Sequence, residues 1–269
     1  MNCARWPRSA RLIEDSPFGR IVIPSTLPDG QALFYTTIDF DGRLDADVVE
    51  RMTAFIAKRF EIESSLNTCT QVHGATVRRA DSQSARDQPA RAQSARAQPP
   101  RAGQRVGPTW RECDSCDALW TIEPHTALGI KVADCLPVTL MGGNVLANVH
   151  SGWRGTVQRI TAVTLDTIER ETSFEPRTSF AYLGPSIRVC CFEVGEEVAA
   201  QFDERFVDRS QAKPHVDTVE LTVDLLRARG FSAANIFDSG LCTRCEGSIF
   251  HSYRREGKGG GRNLAIAAQ

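Results

Sequence analysis

Two apolar runs, residues 136–141 and 145–149, flank the pair Gly142-Gly143. Strand-length apolar runs on either side of two glycines predict a β-hairpin closed by a two-residue turn. With Gly142 and Gly143 as the turn, Cys135 lies directly across from His150. Opposed side chains share a face, with Cβ atoms ~4.5–5.5 Å apart. That is near enough for a thiolate and an imidazole to meet at one metal ion, with bonds of ~2.3 Å and ~2.0–2.1 Å. The placement depends on register, because a turn at Gly143-Asn144 moves every partner by two residues. From spacing alone the pair reads equally as a buried thiol beside a structural histidine.

Around the hairpin the chain alternates strand-like and helix-like segments. Leu44, Val48, Met52, Phe55, Ile56 and Phe60 recur at helical spacing, with Asp45 and Asp47 suited to the first turn. Residues 155–169 predict a second helix, and 217–229 a third that Gly230 stops. Strands are expected over 31–37, 71–78, 127–132, 136–141, 145–149, 179–183 and 236–238. Strands that first pair locally and are later separated by helices predict an α/β fold, a mixed β-sheet covered by helices. A length of 269 residues makes one large domain or two small ones.

Residues 81–107 stand apart. They repeat Gln83-Ser-Ala-Arg86, Gln88-Pro-Ala-Arg91, Gln93-Ser-Ala-Arg96 and Gln98-Pro-Pro-Arg101, with almost no large apolar side chain. Such a stretch cannot offset the entropy of ordering, so a disordered Gln/Arg/Pro-rich insertion is expected there. Between Ala80 and Glu112 the net charge is +3, which leaves the remainder of a chain of net charge −1 about four charges negative. That balance argues against a nucleic-acid-coating protein and against a membrane-surface binder. No apolar run approaches the ~20 residues needed to span a bilayer. Arg5, Arg8, Arg11, Glu14 and Asp15 interrupt any signal-peptide core, so a cytoplasmic protein is expected.

Nine cysteines in such a chain read as reduced thiols serving as core filler, metal ligands or a nucleophile. Cys113-x-x-Cys116 and Cys242-x-x-Cys245 have the spacing of two halves of a four-cysteine zinc site, or are unlinked thiols. Cys190-Cys191 reads as strand or loop filling. His125 and His215, each after a proline, read as exposed loop residues, and His251 with Tyr253, Arg254 and Arg255 as a basic loop or pocket lining. After His150 come Ser151-Gly152-Trp153-Arg154-Gly155 and then a predicted helix. Glycines at such a corner let backbone approach a ligand, and the helix start offers N–H donors to an anion. Arg154 adds a forked cation suited to phosphate or carboxylate. His73, expected in an apolar strand beside Gly74, would complete three protein ligands of a catalytic zinc with Cys135 and His150.

At this point the sequence resembles a known family. Gln71-Val72-His73-Gly74, Cys116-Asp117-Ala118-Leu119-Trp120-Thr121, Ala133-Asp134-Cys135-Leu136-Pro137-Val138 and Val149-His150-Ser151-Gly152-Trp153-Arg154-Gly155 are similar to blocks of the YfiH family, also called the laccase-domain or polyphenol oxidoreductase family. So are Leu183-Gly184-Pro185-Ser186-Ile187, residues 192–198, Cys242-Thr243 and residues 252–257. The blocks run in family order from about Gln71 onward, interrupted by the Gln/Arg repeat.

The resemblance implies one catalytic domain over 1–269, with 81–107 as an insertion, and a mixed β-sheet sandwich related to cytotoxic-necrotising-factor-type cysteine hydrolases. It implies zinc at His73, Cys135 and His150, and phosphorolysis of adenosine, inosine, guanosine or S-methyl-5'-thioadenosine, with accompanying adenosine deamination. Purine nucleosides and inorganic phosphate are then the partners. Cys135, His150 and Asp134 are the candidate catalytic residues, and Arg154, Arg254 and Tyr253 the candidate substrate and phosphate contacts. Residues 34–42 depart from the family pattern, having neither its Arg nor its paired Gly.

Two other functions fit the same residues. Cys135 with His150 as its base would make a cysteine hydrolase or amidase acting on peptidoglycan precursors. A scaffold without turnover would make a nucleoside-binding protein. One Cys and two His do not assemble a multi-copper cluster, which disfavours copper.

Overall fold

Continuous apolar strands need cover on both faces, and the fold supplies it with four layers. A computed structural model describes residues 11–80 and 110–269; the insertion expected over 81–107 lies outside the described residues. The strands are β1 (Arg11–Ser16), β2 (Gly19–Pro24), β3 (Ala32–Thr36), β4 (Ser65–Cys69), β5 (Val77–Arg79), β6 (Trp110–Cys113), β7 (Ala118–Thr121) and β8 (Thr126–Val132). They continue as β9 (Leu136–Gly142), β10 (Val145–Ser151), β11 (Phe180–Leu183), β12 (Val207–Asp208), β13 (His215–Val216), β14 (Ile236–Asp238) and β15 (Asn263–Ala268). The helices are α1 (Ala46–Phe60), α2 (Trp153–Val157), α3 (Ile160–Glu171), α4 (Glu196–Ala199), α5 (Thr218–Ala228) and α6 (Tyr253–Glu256).

One sheet runs β1-β2-β3-β15-β8-β4-β6 and the other β14-β11-β9-β10-β7-β5, and β12 pairs with β13 alone. Both large sheets are mixed: β4 is parallel to β8 and β6, and β14 is parallel to β11. Leu33, Leu128, Ile130, Ala265 and Ala267 of the first sheet pack on Leu119, Met141, Leu146 and Tyr182 of the second. Val49, Met52 and Ile56 of α1 cover the outer face of the first sheet against Ile21, Phe34, Leu66 and Ile266. Ile160, Leu165 and Ile168 of α3, with Val219, Val223 and Leu226 of α5, cover the outer face of the second against Val138, Leu140 and Val149. This is the expected mixed-sheet sandwich covered by helices. It also explains why 136–141 and 145–149 are apolar on both strand faces.

Local chemistry sets the element ends. Asp45 caps α1 by accepting from the Val48 N–H, and Asp217 caps α5 by accepting from Val219 and Glu220. Among the described residues, no helix is long and apolar enough to cross a membrane.

Three local expectations need correction. The hairpin turn is Gly143-Asn144, with Gly142 paired to Val145 and His150 to Pro137. Gly143 has φ 59°, at the first central position, where a type II′ turn calls for glycine. Cys135 therefore lies just before β9 and is not opposite His150. The helix expected over 155–169 starts at Trp153 and breaks at Arg159, whose φ of 60° and ψ of 40° are left-handed, before α3 begins. The strand expected over 71–78 is confined to Val77–Arg79, and His73 lies in the loop before it with φ 60°.

The inter-sheet core contains one polar stitch. Asn148 of β10 is fully buried and donates to the Leu128 carbonyl (3.0 Å) and the Ala265 carbonyl (2.9 Å) of the other sheet. Its own side-chain oxygen accepts from Thr139 Oγ1 at 3.2 Å. Asn148→Leu leaves buried acceptors facing an apolar side chain. It should lower unfolding free energy by about 1–3 kcal/mol, read from the urea midpoint. An unchanged midpoint would show that the stitch contributes nothing.

Candidate metal centre and active-site cavity

The site grows from one buried carboxylate. Asp117 immediately precedes β7 and is 0 % exposed. Its Oδ1 accepts from the His73 backbone N–H at 2.9 Å and meets His150 Nδ1 at 2.9 Å. Its Oδ2 accepts from the Gly74 N–H at 2.7 Å. Burial opposes the charged carboxylate. The bonds from His150, Gly74 and His73 nevertheless hold its pKa below the ordinary range. With Nδ1 engaged, His150 turns its other nitrogen to Cys135.

Cys135 is hydrogen-bonded to both His150 and His73. Burial pushes the thiol up, but the two imidazoles outweigh it and bring its pKa down to about 6. Burial works the opposite way on His150, where Asp117 and Cys135 prevail and raise the pKa to about 9. The His73 and His150 rings meet edge to face with centroids 4.8 Å apart. One donor atom from each of His73, Cys135 and His150 lies within 4.8 Å of the others. Gly152 gives this group room: a Cβ there would sit 3.1 Å from Cys135 Sγ and 3.4 Å from His73 Cδ2.

These features fit a zinc ion. The donor set is a thiol poised to ionise and two imidazoles, one of them oriented by a carboxylate. Hard cations that prefer oxygen ligands are a poor match.

The three donors line a cavity of about 1240 Å³. Asp134, Arg154, Tyr253 and Arg254 line it too, so all the sequence-selected site residues reach one space. Asp134 has φ 85°. Its carboxylate accepts from Thr243 Oγ1 at 2.6 Å and from the Arg254 N–H at 2.7 Å, so it ties α6 to the metal-side loop. Arg254 donates to the Glu193 carbonyl at 2.9 Å and lies 5.7 Å above the Phe192 ring. The Arg154 guanidinium stacks 4.2 Å over Trp153. Tyr253 is 46 % exposed, and Lys131 and Arg262 add further positive charge to the lining.

Other sequence candidates lie elsewhere. His251 is buried, with Nδ1 at Glu256 (2.9 Å) and Nε2 at the Phe40 carbonyl (3.1 Å). Arg255 donates to the Thr243, Arg244 and Phe250 carbonyls. Neither residue lines the cavity. His215 is buried in β13 against the Val189 carbonyl and not exposed, whereas His125 is exposed. Cys116 bonds to Cys69, and Cys113 pairs with Cys69 in the β4–β6 ladder, so Cys113-x-x-Cys116 does not join Cys242-x-x-Cys245. Asp117, which joins His73 and His150, is the candidate residue that sequence reasoning passed over. Its one signal was its place in the block Cys116-Asp117-Ala118.

Asp117→Asn keeps the shape but gives the two backbone N–H groups and the imidazole a single good acceptor. Zinc affinity, read by competition with a chelating dye, should fall ~10–100-fold. Unchanged affinity would remove Asp117 from the site.

The model of the family described as multi-copper polyphenol oxidoreductase laccase matches residues 38–269. A protein named adenosine deaminase RL5, from an unknown prokaryotic organism, is 38% identical over 161 residues, covering 56% of this chain and 61% of that one. The chain thus spans about three-fifths of that relative. A purine nucleoside phosphorylase of Xylella fastidiosa is 32% identical over 226 residues, covering 80% of this chain and 77% of its own. The crystal structure of the Bacillus licheniformis protein YfiH superposes with a TM-score of 0.73 at 20% identity, over 95% of this chain and 97% of that one.

Proposed function

For a chain that belongs to the multi-copper polyphenol oxidoreductase laccase family, we propose a zinc-dependent purine nucleoside phosphorylase that acts on adenosine, inosine, guanosine or S-methyl-5'-thioadenosine and also deaminates adenosine. The observation that carries this is the convergence of His73, Cys135 and His150 on a cavity lined by cations and aromatic rings. Relatives named for phosphorolysis and for deamination support both activities. His73, Cys135 and His150 form one mononuclear site, which suits zinc rather than a multi-copper cluster.

In phosphorolysis a phosphate oxygen bonds to the anomeric carbon while the bond to the purine nitrogen breaks and the purine leaves with a proton. In deamination water adds at purine C6 and ammonia departs. Bound zinc would supply Lewis-acid polarisation of the oxygen that reacts. The residues of the chain do the rest. Arg154 offers the phosphate a fork of donors, held on the Trp153 ring. The exposed Tyr253 ring gives the purine a face to stack on. Asp117 keeps the proton on His150 Nδ1, which leaves the other nitrogen to the metal side. Asp134 holds Thr243 and the Arg254 backbone in place through its two carboxylate oxygens.

One observation favours a second function. Cys135, His150 and Asp117 also have the order of a nucleophile, a base and an orienting carboxylate. Purified protein incubated with adenosine, with and without phosphate, separates the two. Adenine and ribose 1-phosphate should form only with phosphate, and inosine without it. Removing zinc with a chelator should stop both, and added zinc should restore them. Turnover that survives chelation but stops on alkylation of Cys135 would transfer the assignment to the cysteine hydrolase. In the variant His150→Ala, zinc at this site and turnover should vanish together, and full retained activity would end the metal assignment.

A further inference from the structure

A second group of thiols lies outside the cavity, and the activity proposed above does not use it. Cys190 and Cys191 sit in the loop after β11, and Cys242 and Cys245 in the loop after β14. All four sulfur atoms lie within 4.8 Å of one another. Cys191 and Cys245 are 3.4 Å apart, and Cys190 and Cys245 are 3.8 Å apart. Four thiolates at ~2.3 Å from a tetrahedral zinc stand ~3.8 Å from each other. A disulfide needs only two sulfurs, at ~2.05 Å, so it would account for half of the group.

The backbone prepares this arrangement. Ser186 bridges Cys242 in parallel, with N–H groups donating from Ser186 to the Leu241 carbonyl (3.2 Å) and from Thr243 to the Ser186 carbonyl (3.0 Å). The two loops therefore run side by side. The turn over 242–246 closes through the Glu246 N–H on the Cys242 carbonyl at 2.9 Å. Within it Cys242 sulfur accepts backbone N–H bonds from Cys245, Arg244 and Arg188. The Arg244 side chain reaches Cys191, where it offsets charge on a four-thiolate site. Cys242 and Cys191 are buried while Cys245 is exposed, which leaves one edge through which an ion can enter.

We propose that Cys190, Cys191, Cys242 and Cys245 hold one Zn²⁺ as a structural centre, distinct from His73, Cys135 and His150. Binding exchanges the thiol protons for the ion and fastens the loop after β11 to the loop after β14. The first of these loops leads directly into Phe192 and Glu193, which line the cavity and carry Arg254. The second contains Thr243, which donates to Asp134 beside Cys135. The centre thus fixes two walls of the cavity from behind.

The test is zinc content per chain in the purified protein, with Zn²⁺ alone as the probe. The wild type should hold two equivalents. Cys245→Ser, at the exposed edge, should hold one and retain the site at His150. His150→Ala should also hold one, and the double variant none. Cobalt exchanged into His150→Ala should give strong thiolate-to-cobalt charge-transfer absorption that is lost in the double variant. Equal zinc content in the wild type and Cys245→Ser would overturn the proposal, whatever the catalytic site does. So would an intact mass two hydrogens short with Cys191 joined to Cys245 in protein prepared under reducing conditions.

Discussion

The Asp117 carboxylate is the constraint from which the site follows. It is fully buried, and its three donors come from two distant parts of the chain. His73 and Gly74 belong to the β4–β5 loop, and His150 to the end of β10. Its backbone is committed too, with its N–H on the Thr76 carbonyl and its own carbonyl receiving the His150 N–H at 2.7 Å. A charge without these partners would be costly in such a place, and losing one partner of a buried pair typically costs ~3–5 kcal/mol. The residue that orients the imidazole therefore also folds the loop that carries the other histidine.

Around this anchor the backbone is held in conformations it would not choose alone. His73 and Asp134 both have positive φ, a region that non-glycine residues rarely occupy. Each is pinned by bonds from elsewhere, His73 by Asp117 and Asp134 by Thr243 and Arg254. Strain of this kind persists where surrounding structure over-determines it, and here it lies on either side of Cys135. Gly152 works in the same direction, since the three donors converge on the space a side chain would fill.

Much of this was legible in the sequence. The hairpin and the three helices could be read from residue types and spacing, whereas spacing alone left Cys135 and His150 equally a buried thiol beside a structural histidine, and it was the family resemblance that joined them with His73. The hairpin register was misplaced because the turn uses Gly143 at positive φ with Asn144, where Gly142-Gly143 offered an equally good pair. A slip of two residues keeps every side chain on its face, so His150 still reached Cys135 diagonally. A slip of one would have separated them. The strand β15, Asn-Leu-Ala-Ile-Ala-Ala, was hidden because alanine favours helix; its strand state comes from burial at all six positions. Asp117 looked like any acidic residue until its three donors were in view. The two Cys-x-x-Cys pairs invited each other by spacing alone, whereas only the path of the chain brings Cys242 and Cys245 to the adjacent pair Cys190-Cys191.

The position of β15 has a consequence for how the chain reaches this state. It lies between β3 and β8, and Asn263 bonds to the Val132 carbonyl across a separation of 131 residues. Until that strand arrives, β3 and β8 each present an unpaired edge, and the polar stitch from Asn148 lacks one of its two carbonyl partners. Contacts so distant in sequence slow folding, and open apolar edges invite pairing with other chains. The half-built sheet is therefore the species most exposed to aggregation, and insertion of β15 is the step that retires the hazard.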